Sequence, residues 1–188
     1  MQEILGFWFG EPHTPEYGKS RKCWFIKDPS FDEEVRSRFL ESYHLAAASQ
    51  LDSWQETPEG CLALIILLDQ FPRNMFRGQA QAFATDLKAL SVAQGAIANG
   101  FDKQMLPVER LFIYIPFEHS EHIEHQRESL KLFHQLESDP DSASFIDYAE
   151  RHFQVIDRFG RFPHRNQILG RKNTLEEEQF LQQPGSSF

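Results

Sequence analysis

The sequence predicts a single all-α domain built from seven to nine antiparallel helices. Three observations carry this. Apolar residues recur at helical spacing along most of the chain. Helix-starting residues stand in front of those stretches. No segment carries the alternating pattern and turn chemistry of a β-hairpin. A length of 188 residues suits one sizeable domain, placed at 1–182 with a tail at 183–188 expected to fray. With 18 Phe, the core is expected to be thick and aromatic.

The elements follow in order. Ser30 and Glu33 read as a capping box after Asp28-Pro29, and Phe31, Val35, Phe39, Tyr43 and Ala47 make one apolar stripe behind it. Thr57-Pro58 opens a second helix through Cys61–Leu68, which is apolar all round and so expected at the centre. A buried strand would fit that run too, but no partner strand is visible. Gln79 to Ala98 is expected as one helix with Ala80, Phe83, Leu87, Leu90 and Ile97 inward, ended by Asn99-Gly100. Pro107 opens a short helix stopped before Pro116. Ser120 to Leu136 and Ser142 to Arg158 follow on either side of Pro140. Thr174 and Glu177 cap a last helix through Leu181. The short connectors favour antiparallel neighbours, and no repeat of roughly 34 residues is visible.

A net charge of −9 argues against broad nucleic-acid binding and against an anionic membrane surface. The longest apolar run is far below the roughly 20 residues needed to span a bilayer. The N-terminus has no signal-type pattern, so a cytoplasmic location is expected. Cys23 follows Arg21 and Lys22, a setting that favours a thiolate, although a simple packed thiol is the plainer reading. Cys61 sits in the apolar run as a core residue. In this acidic chain Arg158, Arg161, Arg165, Arg171 and Lys172 form a basic island without Asp or Glu. It must meet carboxylates of the protein, an anionic ligand, or solvent.

Two segments echo each other. Phe71-Pro72-Arg73-Asn74-Met75-Phe76-Arg77-Gly78 and Phe162-Pro163-His164-Arg165-Asn166-Gln167-Ile168-Leu169-Gly170-Arg171 each combine an aromatic, a Pro, an Arg-Asn pair, an apolar residue, Arg and Gly. Pro fixes φ and interrupts a helix, while Arg and Asn are rich in donors. If these elbows converge, Arg73, Arg161 and Arg165 would grip a carboxylate or phosphate, with Asn74 and Asn166 orienting it. Asp69 directly follows the apolar run and needs cations or donors to be buried there, as do Glu118 and Glu121. Glu118 with His119 or His164 would move a proton. The competing reading is an ion network that only fixes helix ends.

Metal chemistry is poorly served. His119, His122 and His125 recur at steps of three, which drift by about 60° each on a helix and splay the outer rings apart. One Glu-x-x-His motif, Glu41–His44, falls short of the two wanted for a di-iron bundle. No nucleophile elbow, phosphate loop or zinc-protease motif is present. No metal and no cofactor are implied.

On Phe7-Trp8-Phe9-Gly10, Trp24-Phe25, Leu67-Leu68-Asp69-Gln70-Phe71-Pro72-Arg73-Asn74, Ala82-Phe83-Ala84 with Asp86, Glu109-Arg110-Leu111-Phe112, Pro116-Phe117-Glu118-His119-Ser120-Glu121 and Arg158-Phe159-Gly160-Arg161-Phe162-Pro163-His164-Arg165-Asn166, the chain resembles a mostly bacterial family catalogued as domain of unknown function 924. The resemblance runs from Ile4 to about Leu181. It implies a helical array similar to tetratricopeptide-like folds and no established activity. Where that family carries an acidic residue after Glu121, this chain has His122, which weakens any role for His122 or His125.

Three functions remain. The leading one is binding of a small anionic molecule or peptide carboxylate at Asp69, Arg73, Asn74, Glu121, Arg161, Arg165 and Asn166. The second is a cofactor-free hydrolase or transferase with His119 or His164 as base beside Glu118. The third is a protein–protein adaptor.

Overall fold

The computed structural model describes residues 1–15 and 17–186. All regular structure among them is helical, with no strand. Ser187 and Phe188, part of the tail expected to fray, lie outside the described residues.

The chain opens with α1 (Gln2–Phe9), whose last carbonyls are met by a distant side chain. Arg21 Nη1 donates to Phe7 O and Trp8 O at 2.6 and 2.7 Å. Helix α2 (Pro29–Ala47) buries Val35, Phe39 and Tyr43. Its cap is Asp28, not Ser30: the Asp28 carboxylate accepts from Ser30 N and Phe31 N, and Pro29 takes the first helical position. Asp reaches those orphan amides as well as Ser does, and adds a charge that suits the helix dipole.

Helix α3 (Pro58–Ile65) starts at Thr57, whose hydroxyl accepts from Gly60 N. It does not end at Ile65. A π turn over Ile66–Gln70 carries it directly into α4 (Phe71–Met75). Cys61 to Asp69 are all buried, so this rod is the centre of the molecule.

Helix α5 (Asp86–Ala98) begins later than expected, because a 3₁₀ turn over Ala80–Phe83 precedes it. Its inward face is Ala89, Leu90, Val92, Ala93 and Ala96, and Leu87 is 76% exposed. Helix α6 (Pro107–Glu118) runs through Pro116 instead of stopping there. Pro116 costs one backbone hydrogen bond, and the burial of Leu111 to Glu118 outweighs it. Helix α7 (Ile123–His134), α8 (Ala143–Phe159) and α9 (Leu175–Leu181) complete the chain. The α9 capping box forms, with Thr174 Oγ1 accepting from Glu177 N and Glu177 accepting from Thr174 N.

Consecutive helices α5, α6, α7 and α8 pack on one another, while α3 touches α1, α5 and α6. Between α1 and the rod sits an aromatic cluster. Trp8 lies edge-on to Phe71 and Phe112 at 5.6 and 5.5 Å, and Phe39 stacks on Phe71 at 4.8 Å. These rings are core, as the Phe-rich composition predicts. Cys61 is buried with its thiol pushed up to about 11 by burial, and burial raises the Cys23 thiol despite Arg21.

Candidate functional site

The first elbow is not an elbow. Pro72 lacks the N–H that would bond Leu68 O in an α-helix. Thr85 fills the gap: its Oγ1 donates to Leu68 O at 2.6 Å. Phe71 N bonds Ile66 O, five residues back. The chain thus stays helical past proline through a π turn, a device that often accompanies functional sites. Asp69 lies in that turn with no exposure.

Helical geometry then splits the Arg-Asn pair, since neighbours on a helix point about 100° apart. Arg73 turns toward α5. Asn74 turns toward α2, where its Nδ2 donates to Asp32 Oδ1 at 2.7 Å beside Arg77, which holds both Asp32 oxygens. Asn74 is part of a helix-joining network.

The second segment does turn sharply. Gly160 ends α8 at φ 66°, a left-handed conformation that costs glycine little. Phe162 and Pro163 follow, and Arg165 comes off a 3₁₀ turn at Pro163–Arg165. Arg161 points away, bidentate to Glu177 at 2.6 and 2.7 Å. Asn166 is buried and donates to Asn173 Oδ1. Arg171 takes Glu121 bidentately at 2.7 and 2.9 Å, and Phe162 N donates to the same carboxylate. Arg158 pairs with Glu176. Most of the basic island is therefore answered by the protein's own carboxylates.

Arg165 differs. Its side chain is 7% exposed and lies between the rings of Phe83 and Phe162, at 4.7 and 4.4 Å. Nη1 donates to His119 O at 3.0 Å and stands 3.6 Å from Asp86 Oδ2. Nε is buried with no hydrogen-bond partner among the described residues. Burial, then the repulsion of Arg73, pulls this guanidinium down to about 10. Asp86 is mainly committed to Arg73, which grips it bidentately at 2.9 and 3.1 Å.

Arg73 also reaches Asp69. Its Nη1 donates to Asp69 O at 2.6 Å and lies 3.4 Å from Oδ1. The Asp69 carboxylate further accepts from Gln70 Nε2 at 2.7 Å and faces His119 Nδ1 at 2.8 and 3.0 Å. Burial works to raise Asp69, but Arg73 and His119 outweigh it and hold the carboxyl well below its usual range. Burial and the Arg73 charge lower His119. At neutral pH the pair is an ionised carboxylate and a neutral imidazole. The carboxylate only accepts, so the proton sits on Nδ1 and the lone pair on Nε2.

A cleft of about 360 Å³ opens over this cluster. His119, Asp86, Arg165, Ser120, Glu121 and His122 supply its polar lining, and Phe83, Leu87, Leu90, Pro116 and Leu169 are among its apolar walls. Of the residues expected to form the site, Asp69, Arg73, His119, Glu121 and Arg165 are thus brought together. Glu118 is not in the lining and is buried against His152 Nδ1 at 3.0 Å. His164 is not in the lining and is held down to about 3 by burial and by Arg165. No group of three or more His, Cys, Asp or Glu suited to a metal ion occurs among the described residues. Asp86 and Phe83 are central to the site yet absent from the sequence-derived set. Their signal was the Ala82-Phe83-Ala84 and Asp86 block, which carried the resemblance without a chemical role.

The chain matches the family model described as "Bacterial protein of unknown function (DUF924)" over residues 4–185. It belongs to that family. Within reach of the same fold is a solved structure titled "Structure of Protein of Unknown Function ATU0120 from Agrobacterium tumefaciens". It is 40% identical, with a TM-score of 0.86, and the match covers 96% of this chain and 95% of that one. No curated protein matches. For this DUF924 chain, no helix among the described residues is long and apolar enough to cross a membrane.

Proposed function

We propose that the cleft binds a small organic molecule with one anionic group, a carboxylate by preference, and an apolar body. One observation carries this reading. Arg165 is a buried guanidinium whose one side-chain hydrogen bond among the described residues runs from Nη1 to His119 O, at the wall of a cleft where Arg73, Asp86 and Glu121 are already paired. A hydrogen bond to a charged group contributes roughly 1.5–3 kcal/mol, so a guanidinium with donors left over gains from an anionic oxygen in the cleft. The charges of Asp69, Asp86, Arg73 and Arg165 balance, so recognition rests on unused donors more than on net positive charge. The volume falls in the range of small-molecule sites, and the wall of Phe83, Leu87, Leu90 and Leu169 suits a short apolar body. A reducing, cytoplasmic setting fits the two unbridged cysteines, Cys23 and Cys61.

The test is thermal unfolding with acetate, butyrate, hexanoate and benzoate, against the matching neutral amides. Carboxylates raise the Tm of the wild type, the longer ones more, and amides do not. Arg165→Gln removes the shift, whereas Arg161→Gln, on the far side of the bend, keeps it. Equal shifts with acids and amides, or an unchanged shift in Arg165→Gln, reject the reading.

A further inference from the structure

We propose that the cleft also catalyses hydrolysis of small carboxylic esters, with His119 as general base and the Arg165 guanidinium as the group that meets the oxyanion. This rests on the binding reading, because the product of such a reaction is the carboxylate that the cleft would hold.

The placement of His119 supports it. The imidazole has its Nδ1 set by both oxygens of Asp69. Asp69 is itself held on three sides, by Gln70, Arg73 and the π turn that carries it. The ring therefore has little freedom to turn, and Nε2 is its remaining nitrogen, in a side chain that is 15% exposed and lines the cleft. A base with a fixed tautomer, oriented by a buried carboxylate, is the arrangement general-base chemistry needs. A network serving only to join helices gives no reason for the imidazole to face open space. Arg165 is anchored on the carbonyl of that same histidine, so base and donor belong to one rigid unit.

Atoms and electrons balance with water as the only co-reactant. Water oxygen bonds to the acyl carbon while one of its protons passes to His119 Nε2. The carbonyl π pair moves onto oxygen, toward the N–H groups of Arg165. Collapse re-forms the carbonyl and breaks the bond to the alcohol oxygen, which takes the proton back from Nε2. The acid then ionises in water. No oxidant, metal or cofactor enters.

A competing nucleophile is Ser120, which lines the cleft with Oγ 2.8 Å from His125 Nδ1. Its Oγ also accepts from His122 N at the start of α7, and among the described residues no carboxylate hydrogen-bonds to His125. The water route is therefore preferred.

The experiment uses the full chain and p-nitrophenyl acetate, butyrate and hexanoate. Saturable turnover is expected, slower in D2O, with no burst of nitrophenol. His119→Asn lowers kcat by about 100-fold or more, while benzoate still raises its Tm as in the wild type. Arg161→Gln turns over normally. Carboxylate-dependent stabilisation without turnover of any ester overturns this inference and leaves the binding reading in place. So does turnover that His119→Asn leaves intact, or turnover lost in Ser120→Ala but kept in His119→Asn. If His119→Asn fails to fold, the D2O measurement on the wild type decides, since equal rates in both solvents exclude proton transfer to a base in the slow step.

Discussion

Arg73 and Arg165 come from distant parts of the sequence and meet at one carboxylate, that of Asp86, with Phe83 lying beside both guanidinium groups. Two like charges brought this close repel, and Asp86 is what keeps them together.

Removing that carboxylate should be costly. Asp86→Asn leaves two part-buried cations without their shared partner, and breaking such a pair costs about 3 kcal/mol. Urea unfolding should show a loss of that order. The double variant Asp86→Asn with Arg73→Met should recover part of it, because the repulsion goes with the second charge. A fully additive cycle would mean that the two groups do not interact.

Thr85→Val tests the π turn. The swap keeps shape but deletes the hydroxyl that donates to Leu68 O in place of the missing proline N–H. An unsatisfied buried carbonyl costs about 1–3 kcal/mol, so the midpoint of urea unfolding should fall accordingly. Pro72→Ala restores a backbone donor and should make the Thr85→Val change milder.

Acid should destabilise the fold in a window set by histidine. His164 titrates near 6.5 when unfolded and is pushed down to about 3 in the native state. Below pH 6.5 the unfolded chain binds a proton that the folded chain refuses. Stability is therefore full above 6.5 and falls steadily as the pH drops toward 3. His119, also lowered, adds to the same slope. His164→Asn should flatten the fall in unfolding free energy between pH 6.5 and 5, above the ordinary range of the carboxylates.

Two glycines in helices should respond in opposite ways to alanine. A Cβ on Gly60 would sit 2.0 Å from Trp54 O, a backbone atom that cannot move aside cheaply. Gly60→Ala should lower the Tm sharply or prevent folding. Around Gly95, in the middle of α5, nothing lies within 4 Å. Gly95→Ala should add about 0.5–1 kcal/mol by helix propensity alone.

Much of the fold was readable because helices are written locally. Thr57-Pro58, the Thr174 and Glu177 box, and the uninterrupted run from Cys61 to Leu68 each state their own outcome within a few residues. The misreadings came where distant groups override local rules. Proline at 72 and 116 stops neither helix, because burial and the Thr85 hydroxyl make good the lost donor. Leu87 keeps helical phase yet stays exposed, because it faces the cleft where no neighbouring helix covers α5. Within the candidate site, Asp69, Arg73, His119 and Arg165 were visible as polar residues at the ends of apolar runs. Asn74, Arg161 and Asn166 looked alike and went elsewhere.

The sequence by itself determined the helices, the all-buried central rod and the surplus of arginine and carboxylate around two proline segments, since propensity, capping and periodicity act over one or two turns. Only tertiary structure decided which arginine meets which acid. Pairing depends on the rotation of α4 and the sharp turn after Gly160, and no local pattern encodes the angle between two elements far apart in the chain. That angle commits Arg73, Arg161 and Arg171 to carboxylates of the protein and leaves Arg165, beside His119, with no carboxylate of its own.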